Sequence, residues 1–246
     1  MISIIIPALN EEEFLPNLLR VLKNQTYKDF EVIVADANST DKTAEIAKLS
    51  GAKVVKGGIQ SVGRNNGFKA SIGEIILFLD ADITFNPDFL EKSLSEFSKR
   101  KLDVACSMFS IDSKLISQNM HNIATNTSFK LREKTPLAMA TGATLFFNRR
   151  AFEKIGGFNE KMRITEDQEI IRKAKKLKLK FGVLKTTFSH SERRYLNNGI
   201  IKMLVGGFLG MMVLGSAGIV FKKQLEKHAE KYYGEWGNWK KKTNSF

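Results

Sequence analysis

Glu74-Ile75-Ile76-Leu77-Phe78-Leu79-Asp80-Ala81-Asp82 is the stretch on which the reading of the fold turns. Five apolar residues run unbroken from Ile75 to Leu79 and stop at two carboxylates separated by Ala81. A short continuous apolar run suits a strand covered on both faces, as in a parallel sheet with helices on either side. In open α/β sheets ligands bind at the carboxyl ends of the strands, where Asp80 and Asp82 stand. Two hard oxygen donors this close can share a divalent cation that also reaches substrate phosphates. The same Asp-x-Asp spacing also makes strand-end turns and helix caps, so the rest of the chain has to decide between the two.

Upstream, Ile2–Ile6 reads as a first buried strand ended by Pro7, followed by Asn10-Glu11-Glu12-Glu13. Phe14, Leu15, Leu18, Leu19 and Leu22 then recur at helical spacing. Asn10 with Glu13 resembles a capping box, whereas Pro16 places the regular start near Leu15. Phe30–Asp36 is a second strand ending in an acid, and Asn38-Ser39-Thr40-Asp41 offers caps for a helix through Leu49, closed by Gly51. Ala52–Val55 reads as a strand, and Ser61–Ile72 as a helix carrying Arg64 and Asn65, with Gly73 as its stop. Asn86-Pro87-Asp88 opens a further helix.

Downstream, Asp103–Ile111 is strand-like, and Lys114–Lys134, polar and without a clean period, reads as a loop or short helix crossing the site. Thr141–Phe147 is a strand, Arg150–Ile155 a short helix ended by Gly156-Gly157, and Phe181–Leu184 a last strand. Thr165 is placed to cap a helix opening Glu166-Asp167. Strand and helix alternating with short connections predict one α/β domain, a mostly parallel sheet flanked by helices.

Lys and Arg number 39 against 26 Asp and Glu, a net charge of +13 that favours phosphate-bearing substrates, acidic lipid surfaces or nucleic acid. A nucleic-acid-binding module would gather its basic residues on one face with exposed aromatics. That pattern is missing outside the tail. One cysteine, Cys106, excludes an internal disulfide and a multi-cysteine zinc site, and fits a reducing compartment. A strand-like run at the very start gives the expectation of no signal peptide.

Met203–Phe221 carries no charge, and as a helix it would extend roughly 28 Å, about a bilayer core. Gly206 and Gly210 stand at the spacing that lets helices pack closely in lipid. Lysines lie on both sides, so a single span, an interfacial segment and a buried helix pair all remain open. The tail, with Trp236 and Trp239 among lysines, suits an anionic headgroup layer or a solvated terminus.

In order along the chain, Ser3–Glu11, Val34-Ala35-Asp36, Asp80-Ala81-Asp82, Gly156-Gly157-Phe158 and Glu166-Asp167 resemble the nucleotide-sugar glycosyltransferases of family 2, which have the GT-A fold. That resemblance implies a Rossmann-like catalytic domain over residues 1–195, and the apolar run with its basic flanks gives the expectation of an apolar helical, membrane-associating segment and basic tail over 196–246. Pro7, Leu9, Glu11 and Asp36 match the positions that hold the base and ribose of the donor. Arg64 and Ala81 lie near the nucleotide in this pattern, and Asp80 and Asp82 serve the diphosphate and an Mg²⁺ or Mn²⁺ ion. Asp167 matches the general base of inverting members, with Glu166 beside it, and His190 stands where some relatives place a third metal ligand. A first-turn acid after a cap and an ordinary histidine explain these last residues equally simply.

Ser191-Glu192-Arg193-Arg194-Tyr195 departs from the Gln-x-x-Arg-Trp of processive polysaccharide synthases, so the resemblance implies transfer of one sugar. The expected enzyme works at the cytoplasmic face of a membrane, on a nucleoside diphosphate sugar and a glycan or lipid-linked acceptor such as a polyprenyl phosphate. A nucleotidyltransferase making nucleotide sugars is the rival, but it would carry a Gly-rich basic loop where Pro7–Glu13 is acidic.

Overall fold

The run Ile75–Leu79 is a strand with both faces covered, and the rest of the sheet is assembled on either side of it. The computed structural model describes residues 1–162 and 165–190. Arg193, Arg194, the apolar run Met203–Phe221 and the whole segment 196–246 lie outside the described residues. In chain order the elements are β1 (Ile2–Ala8), α1 (Leu15–Lys23), β2 (Phe30–Asp36), α2 (Thr43–Leu49), β3 (Lys53–Lys56), α3 (Gln60–Lys69), β4 (Ile75–Leu79), β5 (Ile83–Phe85), α4 (Phe89–Lys99), β6 (Val104–Phe109), α5 (Ile116–Arg132), β7 (Thr144–Asn148), α6 (Arg149–Ile155), α7 (Glu166–Lys176) and β8 (Phe181–His190).

Among the described residues the eight strands form one sheet in the order β3-β2-β1-β4-β7-β6-β8-β5. The first four pair in parallel, with Ile2 opposite Phe30 and Ile75, and Ala8 opposite Asp36. Strand β7 runs antiparallel between β4 and β6, and β5 pairs antiparallel with the end of β8. The sheet is therefore mixed, parallel in its first half. Sequence patterning says that a strand is buried but not which way it runs, and this is why the reversal at β7 escaped the reading. Short β5 escaped it as well, because three residues carry no period.

Alternation along β4 sorts its side chains. Leu77 and Leu79 join Ile4, Ile6, Leu18 and Phe146 in the main core, while Phe78 faces the opposite layer. There it meets Phe147, Phe152 and Phe158 at ring separations of 5.1–5.8 Å, the tilted and edge-on arrangements favoured between aromatic quadrupoles. Cys106 is fully buried between these layers, and burial pushes its thiol up to about 12, which leaves it inert.

Helix α3 crosses this aromatic layer unusually close to the sheet. A Cβ on Gly67 would stand 2.3 Å from Ile5 Cγ2, and one on Gly63 would stand 3.2 Å from Pro7 Cβ. These two glycines, one turn apart, let α3 lie directly on β1, and Arg64 between them is carried to the ends of the strands.

Four local expectations change. Pro16 lies in the first turn of α1, as the alternative start implies, and no capping box forms. Thr165 does not cap α7: its backbone is left-handed (φ 59°) and its side chain makes no cap hydrogen bond. Residues Lys114–Lys134, read as a loop or short helix, hold a 17-residue helix, α5. Strand β8 continues past Leu184 to His190, because its far half pairs with β6 and β5. Among the described residues no helix is long and apolar enough to cross a membrane.

Replacing Gly67 by Ala forces Ile5 or α3 to move. The expected loss is about 1–3 kcal/mol, seen as a lower denaturant midpoint at unchanged slope.

Candidate active site

Three loops at the carboxyl ends of β1, β2 and β4 make one side of the site. Asn10 and Asn38 both take left-handed backbone conformations, which asparagine tolerates better than other side chains bearing a Cβ. The two turns are tied together: Thr40 N–H donates to Asn10 Oδ1 at 2.7 Å, and Asn10 N–H donates to Ser39 Oγ at 2.8 Å. Glu11 N–H donates to Thr43 Oγ1 at 2.7 Å, and Asp41 Oδ1 accepts from Thr43 N–H at 3.0 Å at the start of α2. Pro7 lies opposite Ala35 in the parallel pair, and Leu9 projects 44% exposed between the turns. Asp36 accepts from Ser39 N–H through Oδ2 at 3.1 Å, while its Oδ1 is buried with no hydrogen-bond partner among the described residues. A buried acceptor of that kind is costly unless a ligand donor meets it.

Asp80, Ala81 and Asp82 form the turn between β4 and β5, and all three are buried. Asp80 N–H donates to Ala143 O at 3.2 Å, continuing the β4–β7 ladder by one residue. Asp82 Oδ1 lies 3.6 Å from His190 Nδ1, because β5 and the end of β8 pair with Ile83 opposite His190. The His190 ring packs against Phe109 and Phe188, at 5.8 and 5.3 Å.

On the other side stand Glu166 and Asp167, in the first turn of α7. Arg64 joins the two sides. Its Nη1 donates to Glu166 Oε1 at 2.7 Å, and its Nη2 donates to Asp80 Oδ1 at 3.1 Å and to Gly142 O at 3.2 Å. The guanidinium is 1% exposed and lies 5.2 Å above the Phe158 ring. Burial opposes its charge, but Glu166, Asp80 and Asp167 more than offset that, and its pKa is raised.

Asp167 accepts from Gly142 N–H at 3.0 Å and from Gln168 N–H at 2.7 Å. Its pKa is raised from 3.8 to about 7. Desolvation is the leading cause and the neighbouring charge of Glu166 the second; Arg64 and the two N–H groups pull the other way without prevailing. A first-turn acid would ordinarily be held ionised by the helix dipole. Burial beside a second carboxylate wins here.

The structure thus brings Asp80, Glu166 and Asp167 around one cation, Asp82 and His190 into a second pair, and Pro7, Leu9, Glu11 and Asp36 onto joined turns. It adds residues that the sequence did not mark. Gly142 is tightly surrounded: a Cβ there would lie 3.1 Å from Arg64 Nη2 and 3.3 Å from Asp167 Oδ2 and would press on both. Asn65 clamps the loop after α6, accepting from Phe158 N–H and donating to Phe158 O, both at 2.9 Å. Sequence reading sets Asn65 beside Arg64 on its helix without giving it a role there. Gly142 gives no signal beyond being a glycine before a strand.

Among the described residues no three His, Cys, Asp or Glu side chains are already arranged to hold a metal ion. The donor types of Asp80, Asp82 and His190 nevertheless fit Mg²⁺ or Mn²⁺: two hard carboxylates on one turn, and an imidazole on the strand paired with it.

Among known proteins, the chain matches the model of Glycosyl transferase family 2 over residues 3–156. A 4,4'-diaponeurosporenoate glycosyltransferase of Staphylococcus haemolyticus is 37% identical over 110 residues, 41% of this chain and 29% of that protein. An uncharacterized glycosyltransferase of Rickettsia typhi is 29% identical over 185 residues, 69% of this chain and 57% of that protein. The chain spans less than two thirds of the length of either relative. A mannosyltransferase of Pyrobaculum calidifontis, solved with GDP-Man and Mn²⁺, has the same fold: TM-score 0.67 at 19% identity, over 93% of this chain and 69% of that one.

Two measurements test the electrostatics. Arg64→Met strands Glu166 and Asp80 in a buried site without their cation, with an expected loss of about 3–5 kcal/mol; adding Glu166→Gln returns part of it. Asp167 should also shape stability against pH. Well below 3.8 it is protonated in both the folded and the unfolded chain. Between 3.8 and about 7 the folded chain keeps a proton that the unfolded chain has lost, so this group's contribution falls as pH rises through that window. Asp167→Asn should flatten that slope in denaturation curves taken across the window.

Proposed function

The chain belongs to glycosyl transferase family 2, and from that premise we propose that it is a nucleotide-sugar glycosyltransferase, transferring one sugar, with inversion, from a nucleoside diphosphate donor to an acceptor hydroxyl or phosphate. The observation that carries the reading is Asp167, a carboxyl with a pKa of about 7 held across from the Asp80–Asp82 turn. A general base works best when its pKa lies near the working pH, and an ordinary surface aspartate would be far too weak a base.

In this reading the joined turns of β1 and β2 take the donor's base and ribose. The buried Oδ1 of Asp36 accepts a base N–H, while Pro7, Leu9 and Glu11 form the wall. The diphosphate points toward Asp80, Ala81 and Asp82. Asp80, Asp82 and His190 would hold the Mg²⁺ or Mn²⁺ ion, which when bound neutralises charge on the departing diphosphate as a Lewis acid. The Mn²⁺ and GDP-Man bound by the similar mannosyltransferase support this assignment.

An acceptor hydroxyl within hydrogen-bond reach of Asp167 loses its proton to that carboxylate as its oxygen attacks the anomeric carbon. Gly142 N–H and Gln168 N–H fix the carboxylate's direction during the transfer. Arg64 acts as a positioning residue, holding Asp80 on the donor side and Glu166 on the base side. The charge of Glu166, paired with Arg64, keeps the proton affinity of Asp167 high without Glu166 taking part itself. The acceptor class we favour is a lipid-linked glycan or polyprenyl phosphate at the cytoplasmic face of a membrane, from the apolar run Met203–Phe221 and its basic flanks.

The test is sugar transfer from a panel of nucleoside diphosphate sugars with Mn²⁺. The dependence of kcat/KM on pH should rise to a plateau with an apparent pKa near 7. Asp167→Asn should lower kcat by roughly 10²–10⁴-fold with little change in donor KM, and should abolish that rise. Asp82→Ala should weaken the response to added Mn²⁺. A pH profile left intact in Asp167→Asn would remove Asp167 from the mechanism.

A further inference from the structure

Helix α5 is amphipathic the wrong way round. Its inner side is polar. Asn119 exchanges hydrogen bonds with the Ser113 backbone at 2.8 and 3.0 Å, Asn122 donates to Ser110 O at 2.7 Å, and Asn126 bonds both N–H and C=O of Phe109 at 2.9 and 2.8 Å. At its end Lys130 Nζ donates to Val183 O at 2.6 Å, and the buried Glu133 pairs with Arg100 and accepts from Val183 N–H. With Phe129 packed against Phe109, these bonds leave no freedom to roll the helix over.

The outer side is apolar. Ile116, Met120, Ile123 and Leu131 are 77%, 66%, 50% and 76% exposed. Together with the exposed Thr127 they recur four, three, four and four residues apart, a single helical stripe. Leu115 and Leu137 extend it, also exposed. Singly exposed apolar residues are ordinary, but a continuous row of them on an otherwise polar helix marks a contact surface.

The charges beside the stripe narrow the choice of occupant. From Lys114 to Leu137 the basic residues are Lys114, Lys130, Arg132 and Lys134, and the one acid, Glu133, is buried and paired inward. Lys114 and Lys134 are exposed at the two ends of the stripe. An apolar stripe about 25 Å long, bordered by cations and bare of acids, is complementary to an anionic bilayer surface, where apolar side chains enter the acyl boundary and lysines meet the headgroups. A second copy of this chain, which is itself strongly basic, would set like charges against each other.

We propose that α5 is an interfacial helix that seats the enzyme on an anionic bilayer through Ile116, Met120, Ile123 and Leu131. Its place in the fold gives this seat a use. It begins just after β6, whose last residue Phe109 packs on His190, and the chain leaving it reaches Gly142, which holds Asp167. The inference is drawn from α5 alone and is separate from Met203–Phe221, and its test involves no sugar transfer, so it can fail while the transfer reaction stands.

The experiment uses the full chain. Ile123→Cys is labelled with an environment-sensitive fluorophore, the buried Cys106 serving as an unreactive background, and Leu49→Cys at a remote exposed site is the control. Mixing with vesicles of equal parts phosphatidylcholine and phosphatidylglycerol should shift the emission of the label at 123 to the blue and leave that at 49 unchanged. In co-sedimentation, Ser at all four stripe positions should weaken vesicle binding roughly tenfold or more, and Lys114→Glu with Lys134→Glu should weaken binding to anionic but not to pure phosphatidylcholine vesicles. No blue shift at 123 in the presence of vesicles overturns the proposal, even if the chain binds vesicles by another segment. So does a label at 123 that is blue-shifted before vesicles are added, which would mean that the stripe is covered by a second copy or by this chain itself.

Discussion

One buried guanidinium holds the site together. Arg64 reaches Asp80 at the end of β4 and Glu166 at the start of α7, residues separated by 16 and 102 positions from it in the chain. Taking three charges out of water is unfavourable unless each finds an opposite partner at hydrogen-bond distance. The fold satisfies that condition with one cation between two acids, on a floor of Phe158 and its aromatic neighbours. Because α3 rides on Gly63 and Gly67, the cation arrives close to the sheet, and the two halves of the site cannot shift independently.

That arrangement also accounts for the state of Asp167. Four influences bear on its carboxyl: burial and Glu166 favour the proton, and Arg64 and two backbone N–H groups favour the charge. Arg64 spends its two hydrogen-bonding nitrogens on Glu166, Asp80 and Gly142 rather than on Asp167, so its help reaches Asp167 only through space. A base of intermediate strength follows from a cation being near but committed elsewhere. The same geometry crowds position 142, whose backbone N–H and C=O serve Asp167 and Arg64 at once.

The least legible element was α5. Helix prediction from sequence assumes that the apolar stripe faces the core and the polar side faces water. Here asparagines face the protein and bond the backbone of Phe109 and Ser110, while isoleucine, methionine and leucine face out. Read with the usual assumption, Lys114–Lys134 has too few core positions to mark a long helix. The periodicity was present all along, attached to the outer surface.

The sequence by itself determined the buried strands, through unbroken apolar runs that only a sheet covered on both faces can accommodate. It also placed the acids of the candidate site at strand ends and helix starts, because these are local features marked by Asp36, Asp80, Asp82, Glu166 and Asp167. The tertiary structure alone decided the direction of β7, the partners of Arg64, the outward turn of the α5 stripe and the proton affinity of Asp167. Each of these depends on groups far apart in the chain coming within a few ångströms in a medium that screens charge poorly. Neither that proximity nor that loss of solvent is written in any local stretch of residues.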